Sequence, residues 1–268
     1  MRVGAATGAR ALAIAMLFVA RVALAAHVEG GEIQLPGAGH DRVGVELETA
    51  RFDLAGTRGT YFTAIARADW AATRRLTLRA RVPLQLLDLE GQPPGQSGRE
   101  GLGDVELRLR YRLTMRDPLL VAVGYTGQLP TGDAARGLGG GALQVAPYVT
   151  AGYRIGGTVV FATLNDTVTL RGGSTPRYVN YVDPNSDHEL RYNAGLIYFF
   201  SDVVAANALV SGTTLLADDA RGRTLFTAGA QLGIAPLPSV RVVAGGQLPL
   251  AGERRFDWKA NAALIYSF

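Results

Sequence analysis

Between Val105 and Leu113 the chain alternates without a break. Val105, Leu107, Leu109, Tyr111 and Leu113 share one parity, and Glu106, Arg108, Arg110 and Arg112 share the other. Successive side chains of a strand point to opposite faces, so this segment reads as a strand with one apolar and one heavily charged face. Comparable segments of about ten residues recur after residue 40, and that repetition constrains the fold more than any other feature. Twelve strands are expected, over 42–54, 59–70, 76–88, 103–113, 119–129, 142–154, 158–169, 189–200, 203–213, 224–234, 239–249 and 256–268.

The connections alternate in length. Those at 71–73, 115–118, 156–157, 201–202 and 236–238 are short, whereas those at 55–59, 90–101, 130–141, 171–187, 217–223 and 251–255 are longer or richer in glycine. An even number of strands with short turns at one end and long loops at the other is the pattern of an outer-membrane barrel. The expected fold is therefore all-β, a transmembrane antiparallel up-and-down β-barrel of twelve strands over 42–268 with both termini periplasmic. Aromatic residues give an independent test. Trp70, Tyr111, Tyr153, Tyr198 and Tyr266 share the outward parity near one end, and Phe62, Phe226 and Trp258 lie near the other. Girdles at two lipid–water interfaces explain that alignment, and a soluble β-sandwich does not.

The first residues fit this reading. Met1, Arg2 and Arg10 make a positive start, 11–20 is apolar, and Ala23-Leu24-Ala25 supplies a cleavage signal. Residues 1–25 are expected to be a signal peptide and 26–41 a periplasmic segment. There is no cysteine, so no disulfide supports the exported chain. Without residues 1–25 the chain holds 24 basic and 23 acidic residues, a balance that gives nucleic-acid binding no support. The expected surroundings are outer-membrane lipid. The last strand alternates from Trp258 to Phe268 and ends on an aromatic residue. Such an ending resembles the signal read by the bacterial barrel assembly machinery, an expected partner.

If the apolar parity of 103–113 faces lipid, Glu106, Arg108, Arg110 and Arg112 face the lumen, since a lipid-facing arginine near the midplane costs about 2–4 kcal/mol. By the same parity Arg79 and Arg81 point inward on the preceding strand, with Glu46, Glu48, Arg67 and Asp69 on the first two. Two readings compete: an internal ion-pair network that braces or plugs the lumen, and a positive constriction that attracts anions or polar substituents.

Two motifs carry a resemblance. GLGDVELRLRYRL (101–113) and QLPTGDAARGLGGG (128–141), with the aromatic final strand, resemble outer-membrane transporter-like proteins labelled as belonging to a MetA pathway of phenol degradation. The resemblance spans roughly 100–268. It implies a β-barrel that brings a small-molecule solute, aromatic or hydrophobic, across the outer membrane. Gly101, Gly103 and Asp104 are expected to open a strand after a long loop, and Pro130, Thr131, Gly132 and Asp133 to form a turn leaving one. Infolding of these loops, or ligand contact at the mouth, is the other reading. The longest loop, 171–187, carries Tyr178 and Tyr181 and is a candidate gate.

No cofactor, metal or catalytic site is expected. His27, His40 and His188 fall in no recognisable triad, and Asp183, Asp187, His188 and Glu189 lack a specific ligand spacing. Glycines 137 and 139–141 sit between strands, not at the strand-to-helix turn a phosphate site needs. A passive channel is the leading expectation. A non-transporting structural or surface-binding barrel is the alternative, and an outer-membrane hydrolase the third.

Overall fold

A computed structural model of the chain describes residues 27–29, 32–34, 41–54, 57–91, 98–114, 118–170, 186–217, 221–252, 254 and 256–268. The expected signal peptide, 1–25, lies outside them. Two short strands, β1 (His27–Glu29) and β2 (Glu32–Gln34), pair antiparallel. The other strands are β3 (Arg42–Leu54), β4 (Thr57–Trp70), β5 (Leu76–Leu89), β6 (Gly98–Leu102), β7 (Val105–Arg112), β8 (Leu119–Leu129), β9 (Leu143–Ile155), β10 (Thr158–Leu170), β11 (His188–Phe199), β12 (Val204–Leu215), β13 (Thr224–Leu237), β14 (Val240–Gly252) and β15 (Phe256–Ser267).

These form one antiparallel sheet in which neighbours in sequence pair in space. β6 and β7 are two pieces of a single stave, both paired with β5. β15 returns to β3, with Ser267 opposite Arg42 and Phe256 opposite Phe52, so the sheet closes as a barrel of twelve staves. Closure gives the apolar final strand a partner on both edges, which removes the aggregation hazard of an open one. The Phe268 amide donates to the Asp41 carbonyl at 3.1 Å, joining the two ends of the barrel at the end that carries the short turns.

Alternation decides which face each residue takes. On β4, Tyr61, Thr63, Ile65, Arg67 and Asp69 are buried, while Phe62 and Trp70 between and beyond them are exposed. Trp70, Tyr111, Tyr153, Tyr198 and Tyr266 all lie on the outer face near the end with the short turns. At the other end Phe62 and Trp258 are exposed, and Phe226 meets Tyr192 edge-on with ring centroids 6.1 Å apart. The inner face is not uniform. Val159, Phe161, Ile197, Ala205 and Leu209 make an apolar cluster on β10, β11 and β12. Most of the buried charged residues sit on other staves, on β3, β4, β5 and β7.

Most expected strands hold to within three residues of their bounds, and one departs further. The fourth stave begins at Gly98, not at 103, and breaks at Gly103–Asp104. The cause lies on β5. The Gly103 amide donates to the Pro83 carbonyl at 2.9 Å, so Pro83 turns its backbone polar groups toward this stave. Proline has no N–H to return, and the ladder is interrupted there.

Candidate functional site in the barrel interior

Charged residues on the inner face of β3, β4, β5, β7 and β15 form one connected network. Asp69 is its most buried member, with Arg79 Nε at 2.5 Å, Arg67 Nη2 at 2.7 Å and Arg42 Nε at 3.8 Å. Glu46 takes Arg67 at 2.9 Å and Arg81 at 2.6 Å. Glu48 takes Lys259 at 3.3 Å and Arg81 at 3.4 Å, and accepts from the Tyr61 hydroxyl at 3.2 Å. Glu106 lies 3.6 Å from Arg81 and 3.5 Å from Arg108. Six cations thus share four carboxylates across five staves. Unpaired charge in such an interior would be costly, and the multiple bonds to each carboxylate offset that cost.

Register explains the pairing. Asp69 stands opposite Arg42 on one side and Arg79 on the other, and Arg81 stands between Arg67 and Glu106. Residues directly opposite in neighbouring strands are about 4.5–5.5 Å apart at Cβ, within reach of ionic contact. Arg79 also faces Arg108, a like-charged pair that Asp69 and Glu106 offset from either side. Arg110 is buried on the same inner face, and Arg112 follows it, half-buried. The Arg108 guanidinium rests 5.7 Å from the centroid of the Tyr148 ring, which reaches it from β9 across Gly124. A Cβ on Gly124 would lie 2.4 Å from that ring, so only glycine lets the tyrosine pass.

Above the network is a polar chamber of about 280 Å³. Arg81, Glu48, Glu106 and Lys259 line it from one side and Arg191 from β11 on the other. Gly137, Leu138 and Gly139 from the loop between β8 and β9 close it on the side of the long loops. Sequence alone did not single out Arg42, Lys259, Arg191, Tyr61 or Tyr148. Arg42 shares the parity of Gly44 and Glu46, and Lys259 is the one lysine of the chain, so parity offered a signal for both.

The two sequence motifs are parts of one device. At the break after Gly103 the Asp104 carboxylate accepts from the amides of Gly132 at 2.9 Å and Gly140 at 2.6 Å, and from Gln128 Nε2 at 3.3 Å. The Thr131 hydroxyl donates to the Gly103 carbonyl and accepts from the Val105 amide, both at 2.9 Å, restoring the ladder bonds lost at the break. Asp133 caps a short 3-10 turn, Ala134–Arg136, which Gly137 ends in a left-handed conformation with φ 77°. The chain then drives Leu138, 1 % exposed, among Phe52, Tyr61, Leu87 and Phe256 and over Gly101. Gly132 and Gly139 have no room for a side chain, since a Cβ there would lie about 2.4–2.5 Å from the Leu138 carbonyl oxygen and an Asp104 carboxylate oxygen. Pro130 lies at the exit of β8. Gly101 lies within β6, Gly103 and Asp104 stand directly before β7 at the break of the fourth stave, and the turn leaving β8 at 130–133 leads into a strap that folds inward.

Tyr178 and Tyr181 lie outside the described residues. Of the loop-base residues, His188 Nε2 is 2.5 Å from Asp166 on the outer face, whereas Glu189, on the opposite parity, accepts from the Ser186 amide at 2.6 Å and holds Arg191 Nη2 at 2.8 Å. The two side chains diverge, so this part of the loop base does not gather them as ligands.

The chain matches no known family profile. It matches no curated protein either. Among solved structures it is similar to the COG4313 outer membrane channel from Pseudomonas putida F1, with 14% identity and a TM-score of 0.68 over 90% of this chain and 100% of that one. The NanC porin aligns with 9% identity and a TM-score of 0.53 over 84% and 98%. The translocator domain of the autotransporter NalP from Neisseria meningitidis aligns with 10% identity and a TM-score of 0.55 over 98% and 97%. Channels and a translocator domain share this barrel, so the likeness identifies the fold as that of outer-membrane β-barrels and leaves the work of the chain to its interior.

Proposed function

We propose that the protein is a passive channel of the bacterial outer membrane for small polar solutes. Both termini are then periplasmic, and the C-terminal strand ending at Phe268 is presented to the assembly machinery. The observation that carries this reading is the polar chamber enclosed by an apolar outer wall. A barrel with only a structural role needs no interior space lined by charge, and twelve strands leave room for one. The likeness to channel structures supports the same reading. The solute enters past the strap at 130–141 and passes Arg81, Arg108 and Arg110. An aromatic solute, as the family resemblance implies, needs ionised or strongly polar substituents on this path, because an apolar one would strip water from the charged lining without replacing it.

A refolded chain starting at residue 26, placed in a planar bilayer, tests the proposal. Steady single-channel steps with some preference for anions are expected, since cations outnumber carboxylates in the network. Replacing Arg108 and Arg110 together by glutamine should lower that preference. A folded barrel that passes no current would overturn the proposal in favour of the bracing role.

A further inference from the structure

The outer wall is not evenly convex. Where β3, β4, β5, β7, β8 and β9 run side by side it is indented by a groove of about 720 Å³. The groove starts beside Trp70 and Phe268 at the end with the short turns and climbs across the strands to Leu129 and Leu143 at the foot of the strap. Ala68, Ala80 and Gly127 give it depth beside the larger Leu109 and Tyr125. A Cβ on Gly127 would meet no atom nearer than the Leu107 carbonyl oxygen, at 4.0 Å, so the space over that residue is open. Charged residues of the same strands turn the other way. Asp69, Arg79 and Arg108 have their side chains in the interior network, which leaves the groove apolar. The turn at its lower end is different. Trp70 and Leu78 stand opposite each other, and the turn that joins their strands carries Arg74 and Arg75, both exposed. Thr73 Oγ1 fixes that turn by accepting from the amides of Arg75 at 3.1 Å and Leu76 at 2.9 Å. Neither guanidinium has a partner among the described residues. Asp41, at the same rim, is taken by the Ala71 amide at 2.8 Å.

We infer that the groove and this turn form a site for one anionic phospholipid, its phosphate held by Arg74 and Arg75 and an acyl chain laid along the groove. The inference goes beyond the channel reading and takes from it only the periplasmic placement of the short turns, where the leaflet is phospholipid. Charge and shape decide the occupant. Two unpaired guanidiniums at the membrane surface favour an anionic headgroup over a zwitterionic one. Arginine also meets a phosphate with two parallel N–H bonds. Trp70 sits at the rim, the level at which indole rings meet headgroups. A second copy of the barrel fits poorly. Its wall is convex, and in the same membrane it would bring the same two arginines to the same level, where they repel. The groove's volume lies within the roughly 300–1,000 Å³ of sites that hold small ligands, and its apolar lining suits a hydrocarbon chain.

Trp70 reports on the site, since the chain has two tryptophans and Trp258→Phe leaves Trp70 as the single one. The Trp258→Phe barrel is placed in phosphatidylcholine vesicles that hold a minor share of phosphatidylglycerol with brominated acyl chains, which quench indole fluorescence on contact. Quenching should be about twofold stronger than with the same share of brominated phosphatidylcholine. Arg74→Gln and Arg75→Gln together should bring it down to the phosphatidylcholine level. Gly127→Leu, which fills the groove, should lower it as well. Equal quenching by the two lipids overturns the inference, because the arginines then select no headgroup. Quenching by phosphatidylglycerol that survives both sets of substitutions also overturns it, because the lipid is then held elsewhere. Conductance of the same vesicles reports on the channel separately, so failure of the lipid site and failure of the channel reading are told apart.

Discussion

Asp69 shows at the scale of one residue how this interior is held together. Its carboxylate lies within ionic reach of Arg42, Arg67 and Arg79 and has no exposed area. Asp69→Asn keeps the shape and removes the charge, leaving three guanidiniums to repel one another. Breaking a buried pair in this way costs about 3–5 kcal/mol. The folded barrel should therefore unfold at a lower temperature, read as loss of its compact mobility in electrophoresis after heating; an unchanged midpoint would mean the network contributes nothing to stability. Parity alone placed Asp69 with Arg67 on one face. It did not say which arginines would close on Asp69, because partner choice depends on register between strands, and alternation within one strand carries no information about that. Arg42 carried the inward parity of Gly44 and Glu46, so its face was readable, but its partner Asp69 is on the next strand, opposite it, and invisible to spacing.

The fourth stave and the strap after β8 behave as a single element. Asp104 ties them through the amides of Gly132 and Gly140, and Leu138 fastens the far end in an apolar socket. Asp104→Ala leaves those two amides without their acceptor, a loss of about 1–3 kcal/mol concentrated on the strap. Single-channel recording should then show a larger and noisier current as the strap leaves the mouth; a current identical to that of the unaltered protein would contradict its role as a lid. Most of this element was legible: the glycines, Asp104, Thr131 and Asp133 stood out as motifs, and β8 and β9 fell within one residue of their expected bounds. Missing was the interruption. Pro83 sits in a strand that otherwise alternates well, and its effect is felt on the neighbouring stave, where the chain reads as continuous.

The whole molecule is a closed wall with two unlike faces, and its proposed function depends on which face carries the solute. Closure through β15 and β3 leaves Leu107, Leu109 and Tyr111 outside, with Arg108 and Glu106 inside. That division was readable from composition by parity, and it sets both the membrane-facing surface and the polar interior. The chamber itself was not readable, since it arises where residues from β3, β4, β5, β7, β8, β11 and β15 converge with a loop. The most direct test uses the absence of cysteine from the chain. Gln128→Cys places one thiol in the chamber lining, and Leu107→Cys places one on the outer wall. Single-channel current is recorded before and after a charged, water-soluble thiol reagent. The expected result is partial or complete block in Gln128→Cys with no change in Leu107→Cys. An open current untouched by modification at residue 128, with the thiol shown to have reacted, would contradict passage through the chamber.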